Sequence, residues 1–140
     1  MRTAAQPPAA SVAPPALVLI VDDGPEARGL YREYLEFCGF RVMLAAGLDA
    51  VLEAQAKLPH IIVTDLAAPR IEASETIRQL KAHPRTAEIP VVALSVSGEE
   101  AALARAAGAD VCLTKPCVPS QVAPAIRALL VWQRSRGAVL

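Results

Sequence analysis

The chain has 140 residues, with 14 Lys plus Arg balancing 14 Asp plus Glu, and it is 54% hydrophobic but only 4% aromatic. That length supports one core and leaves little room for a second domain, and the core must be aliphatic. A net charge of zero argues against nucleic-acid or anionic-membrane binding driven by bulk charge.

The first fifteen residues are rich in Pro and Ala, with prolines at 7, 8, 14 and 15. They read as a disordered arm. The apolar run Ala16–Val21 that follows is too short for a signal core or a membrane span, so it reads as a first strand, with no gap after it before Asp22 and Asp23. Pro25 suits the first turn of a helix. Ala27, Leu30, Tyr31, Tyr34, Leu35 and Cys38 then recur at helical spacing, and Gly39 can end that helix. Phe40–Leu44 reads as a second strand. Leu48, Val51, Leu52 and Ala56 form a second helical stripe. Ile61–Thr64 is a third strand ending at Asp65, followed by a loop with Pro69 and a weaker helix carrying Ile77 and Leu80, which stops near His83-Pro84.

Pro90–Leu94 is a fourth strand that ends at Ser95. Ser97 and Glu100 have the spacing of a capping box and open a helix that Gly108 closes. Ala109–Leu113 is a fifth strand leading into Thr114-Lys115-Pro116. The last helix carries Val122, Ile126, Leu129 and Leu130. Pro124 inside it predicts a late start or a distorted first turn. Residues 133–140 read as a flexible tail, which leaves one domain over 16–132. Strand and helix alternate five times, so the fold class is α/β: a parallel sheet with helices on both faces and right-handed crossovers.

Ligand sites in such sheets lie outside the carboxyl ends of the strands. Here those ends carry Asp22, Asp23, Asp65, Ser95 and Lys115. Three convergent carboxylates repel one another, and a hard divalent cation relieves that repulsion; oxygen ligands with retained waters suit magnesium. Asp65 can then act as a nucleophile toward a phosphoryl group held by the cation, the hydroxyl and the ammonium. Taken singly, Asp22-Asp23 reads as a helix cap and turn pair, Asp65 as a loop cap, Ser95 as a turn residue and Lys115 as a surface charge. Joint placement favours the site.

The motifs DD at 22–23, "IIVTDLAAP" around Asp65, "VVALS" ending at Ser95 and "GADVCLTKP" containing Lys115-Pro116 resemble, in that order, a receiver domain of a two-component response regulator. The resemblance spans roughly Leu17 to Val131. It implies a flavodoxin-like doubly wound (βα)5 sandwich with strand order 2-1-3-4-5. It also implies Asp65 as phosphoacceptor, and a magnesium ion held by Asp22, Asp23, Asp65 and the backbone carbonyl of Ala67. Lys115 would pair with phosphoryl oxygens, and Ser95 would be the hydroxyl that moves to the phosphate. The implied donor is a histidine kinase or histidine phosphotransfer protein. The output would go to a downstream protein or a second copy through the face built by the fourth helix, fifth strand and last helix.

No DNA-binding or enzymatic domain fits after Leu130, which points to a stand-alone receiver that is not an enzyme. The chain departs from the family pattern at four places. Ala68 stands for a methionine, and Glu72-Ala73 for Asp-Gly. Val96 stands for a small residue and narrows access to Asp65. Cys112 stands for a frequent Phe or Tyr. The altered loop and the missing aromatic favour a rival reading, a phosphorylation-independent pseudo-receiver that only binds proteins, while the intact set of Asp22, Asp23, Asp65, Ser95 and Lys115 argues against it. A second rival, a magnesium-dependent phosphohydrolase, lacks a second acid at Ala67.

Cys38, Cys112 and Cys117 fit no zinc or redox spacing and read as reduced, packed thiols of a cytosolic protein. His60 and His83 read as surface or capping residues. Tyr31 and Tyr34 read as part of a buried stripe, and Arg127, Arg134 and Arg136 as a solvated tail.

Overall fold

The computed structural model describes residues 15–21, 25–47, 49–65, 70–95, 97–115 and 118–139. Asp22, Asp23, Leu48, Ala67, Ala68, Pro69, Val96, Pro116, Cys117 and most of the N-terminal arm therefore lie outside the described residues. Five strands, β1 (Leu17–Val21), β2 (Arg41–Ala45), β3 (Ile61–Asp65), β4 (Val91–Ser95) and β5 (Val111–Thr114), alternate with five helices. The helices are α1 (Pro25–Phe37), α2 (Asp49–Lys57), α3 (Arg70–Ala82), α4 (Gly98–Ala107) and α5 (Pro119–Val139). All neighbouring strands are parallel, in the order β2-β1-β3-β4-β5. The predicted architecture and strand order hold, with strand limits displaced by one or two residues.

The apolar strands can be continuous because the sheet is covered on both faces. On one face Leu19, Ile62, Val91 and Ala93 meet Ala50, Val51 and Ala54 of α2, Ile77 and Leu80 of α3, and Ala104 and Ala107 of α4. On the other face Val18, Ile20, Val63, Val92 and Leu94 meet Tyr31 and Leu35 of α1, Cys38 just after it, and Val122, Ala123 and Ile126 of α5. Burying each branched side chain contributes about 1.5–3 kcal/mol, which is why the central strands carry Val, Ile and Leu on both sides.

Several helical expectations are corrected. Leu30 and Leu52, taken as core positions, are 62% and 67% exposed. The sheet sees α2 through Ala50, Val51 and Ala54 instead, so small side chains set a close approach and the leucine is rotated outward. Tyr31 is buried as expected, while Tyr34 is half-buried with its ring centroid 6.2 Å from that of Phe37.

Helix α5 starts at Pro119, not late. Pro124 is exposed, and its missing N–H removes one helical bond near the N-terminus, where the chain is held otherwise. Gln121 N–H and Val122 N–H donate to the Val118 carbonyl at 2.8 and 3.3 Å, while the Val118 N–H donates to Gln121 Oε1 at 2.9 Å. At its other end α5 continues to Val139, through the stretch read as a tail. Gln133 Nε2 donates to the Glu88 carbonyl at 2.7 Å, fastening the extended helix to the approach to β4. Arg127 is not a tail residue either: its guanidinium lies 5.7 Å above the Phe40 ring, a cation–π arrangement.

Candidate functional site at the carboxyl edge of the sheet

Parallel register decides what meets at this edge. Thr64 of β3 lies opposite Val21 of β1, and Asp65 lies opposite Leu94 of β4. Ser95 ends β4 opposite Thr114, the last residue of β5. The pairing extends one step further, since the Lys115 N–H donates to the Ser95 carbonyl at 2.7 Å. That backbone bond holds Lys115 beside the end of β4, and its ammonium crosses over β4 to Asp65.

Lys115 Nζ donates to Asp65 Oδ1 at 2.5 Å, with side-chain exposures of 23% and 12%. A charge-assisted pair so far out of water is stronger and less screened than one on the open surface. Ser95 is only 1% exposed, and its Oγ has no hydrogen-bond partner among the described residues. Alternation places Ser95 on the same sheet face as Ala93 and so under α4. A buried hydroxyl without a partner costs about 1–3 kcal/mol and calls for an explanation.

Of the predicted site residues, Asp65, Ser95 and Lys115 gather at one edge of three neighbouring strands. Asp22, Asp23 and Ala67 lie outside the described residues, and among the described residues no group of three or more His, Cys, Asp or Glu could hold a metal ion. Both histidines serve the backbone at the opposite edge: Nδ1 of His60 accepts from Leu17 N–H at 2.9 Å, and Nδ1 of His83 accepts from Arg85 N–H at 3.1 Å. Cys38 and Cys112 are free thiols.

Sequence reasoning missed two features near the site. Glu100, expected as a cap, is 5% exposed. The Cys112 thiol donates to the Ala101 carbonyl of α4 at 3.7 Å. The capping spacing announced the first only as a helix start. The second joins two elements that only the tertiary fold brings together.

A doubly wound sheet with a shielded carboxylate, an ammonium and a buried hydroxyl at its carboxyl edge is the architecture of receiver-type signalling domains. The chain belongs to the response regulator receiver domain family, whose model matches residues 18–127. It is 30% identical over 126 residues to the phosphate regulon transcriptional regulatory protein PhoB of Rhizobium meliloti (strain 1021), a match covering 88% of this chain and 55% of PhoB. The chain thus spans about half the length of the curated relatives it matches.

Its fold superposes on the chemotaxis response regulator CheY4 of Vibrio cholerae with a TM-score of 0.74 at 25% identity, covering 81% of this chain and 98% of that one. It also superposes on the receiver domain of the sensor histidine kinase PA1611 of Pseudomonas aeruginosa PAO1, with a TM-score of 0.75 at 22% identity, covering 83% of this chain and 98% of that one. That structure is described with a magnesium ion coordinated in its active-site cleft. Receiver domains are signalling modules that interact with histidine kinases and phosphotransfer proteins.

Proposed function

We propose that this chain is a phosphoacceptor of a two-component system or phosphorelay and that Asp65 takes the phosphoryl group. The observation that carries the reading is the 2.5 Å approach of Lys115 Nζ to Asp65 Oδ1. It puts a fixed cation where charge grows on a transferring phosphoryl group. The donor is a phosphohistidine of a kinase or phosphotransfer protein. An Asp65 carboxylate oxygen attacks phosphorus, the P–N bond breaks, and the imidazole nitrogen keeps the electron pair and is protonated. Lys115 offsets charge on the phosphoryl oxygens. Ser95 Oγ, which has no partner among the described residues, donates its hydrogen to a phosphoryl oxygen and thereby favours a second conformation.

The donor set fits magnesium. Asp22, Asp23, Asp65 and the Ala67 carbonyl are hard oxygen donors, the type magnesium takes alongside retained waters. When bound, the ion neutralises phosphoryl charge. The chain works in the cytoplasm as a receiver unit and not as an enzyme. No helix of the described residues is long and apolar enough to cross a membrane. Its output goes to a downstream protein or to a second copy through the face of α4, β5 and α5.

Beryllofluoride with magnesium, an analogue of the phosphoryl group, tests this. The wild type is expected to bind, and Asp65→Asn to lose binding by more than about 100-fold, since the substituted amide lacks the attacking charge. A wild type that does not bind would instead support the phosphorylation-independent binding module. Ser95→Ala is expected to weaken analogue binding about 10-fold, the value of one hydrogen bond to a charged group. It also removes a buried unpaired hydroxyl, so urea unfolding should show stability unchanged or raised by about 1 kcal/mol. A clear loss of stability would mean that the hydroxyl has a structural partner.

A further inference from the structure

Helices α1 and α5 lie side by side on one face of the sheet and share one core cluster. Each turns an inward stripe to that core, yet each also carries apolar residues outward. On α1, Leu30, Glu33, Tyr34 and Phe37 stand at i, i+3, i+4 and i+7, which is one helical face. Leu30 is 62% and Phe37 45% exposed, and Tyr34 is half-buried. On α5 the same spacing joins Pro124, Arg127, Ala128 and Val131. Val131 is 59% exposed, and Pro124 and Ala128 are exposed as well. Single exposed apolar residues are ordinary on a monomer, whereas apolar side chains grouped on adjoining faces mark an interaction surface.

The two faces meet at Arg127. Its guanidinium lies 5.7 Å above the ring of Phe40, just beyond α1. Its charge also reaches Tyr34, whose phenol the Cys38 thiol pushes up, with Arg127 opposing. Arg127 is half-buried and has no carboxylate partner among the described residues, and its Nη2 is buried there without an acceptor. A guanidinium held in this way loses hydration while its charge stays uncompensated. Glu33 is exposed and has no ion pair among the described residues, unlike Glu36, which Arg32 holds at 3.3 Å. The surface thus offers an unmatched cation and an unmatched anion together with exposed apolar side chains.

We propose that the α1–α5 face is an interface between two copies of this chain, with Glu33 of each copy set against Arg127 of the other. A two-fold interface is self-complementary, so a patch that closes on its own image must carry both halves of every pair. This patch does. A partner of one charge sign would satisfy Arg127 or Glu33 and leave the other facing a like charge, while a second copy matches both. The same contact takes Leu30, Phe37 and Val131 out of water. The face lies across the sheet from α4, and the inference does not depend on the phosphoacceptor reading.

Sedimentation equilibrium of the full chain tests this. The wild type is expected to dimerise with a dissociation constant of about 10–100 μM, as suits an interface of modest size. Val131→Asp changes an exposed position and leaves the core intact, and it is expected to weaken dimerisation by about 10-fold or more. Glu33→Arg sets like charges against each other, so it should weaken dimerisation about fivefold in about 50 mM salt and less in about 500 mM salt. Leu103→Asp, on the exposed side of α4, is the control and should dimerise as the wild type does. A wild type that stays monomeric at about 1 mM, well above the expected constant, overturns the proposal. So does a dimer that Leu103→Asp breaks and Val131→Asp leaves intact, or one that Glu33→Arg tightens. A monomeric wild type whose Val131→Asp variant takes the phosphoryl group more slowly from a kinase would give this face to the kinase and likewise overturn the proposal.

Discussion

Lys115→Ala is expected to slow phosphoryl uptake by Asp65 by about 100- to 1000-fold, the usual loss when a preorganised charge-stabilising group is removed from a shielded site. The Lys115 ammonium sits 2.5 Å from Asp65 Oδ1, and both side chains are largely covered. Water therefore cannot take its place cheaply, and charge gathering on the phosphoryl oxygens meets no fixed cation. Lys115→Arg retains the charge but not the compact geometry of an ammonium, so it should recover only part of the rate. The measurement is the initial rate of labelling from acetyl phosphate or a phosphorylated kinase, with far-UV circular dichroism to confirm folding. An alanine variant within threefold of the wild type would remove Lys115 from the chemistry.

Gly108→Ala carries the largest expected loss of stability, about 2–4 kcal/mol. Gly108 has φ +120°, a backbone conformation that costs an L-residue about 1–2 kcal/mol. The new Cβ would lie 2.7 Å from Lys81 Cγ and 3.3 Å from Lys81 Cβ. These atoms belong to the stem near the backbone and cannot swing away as a chain end could. Moving the stem withdraws Nζ from the Ile89 carbonyl and from Asp110, and partly buried acceptors lose their donor. For a chain of this size the change corresponds to a fall in melting temperature of about 7–14 °C. Gly98→Ala is the control: nothing lies within 4 Å of its added Cβ, and alanine is the better helix former by up to about 1 kcal/mol. It should melt at or above the wild-type temperature. A Gly108→Ala chain melting within 2 °C of the wild type would show that the α4 anchor is not where the contacts place it.

Much of this molecule is legible in one dimension. The unbroken apolar runs 17–21, 61–64 and 90–94 announce strands covered on both faces, because only a sheet between two helical layers can bury every residue of a run. Ser97 and Gly108 mark the ends of α4 through local backbone chemistry, and both caps stand where expected. Helix faces were less legible. Leu30 and Leu52 obey helical spacing yet face outward, because each helix is rotated by what packs beneath it. The reach of α5 escaped prediction because the bond from Gln133 to Glu88 that fastens its far end depends on a segment 45 residues away.

The sequence alone determined the five-fold alternation of strand and helix, the aliphatic core and the strand ends on which Asp65, Ser95 and Lys115 stand, since these follow from periodicity, burial and caps that act over a few residues. Tertiary structure alone decided that the Lys115 ammonium crosses β4 to Asp65, that the Ser95 hydroxyl is buried with no partner among the described residues, and that Gly108 at the end of α4 packs against Lys81. Those facts depend on register between strands and on helix rotation over the sheet, and both are settled by side chains far apart in the chain competing for the same space.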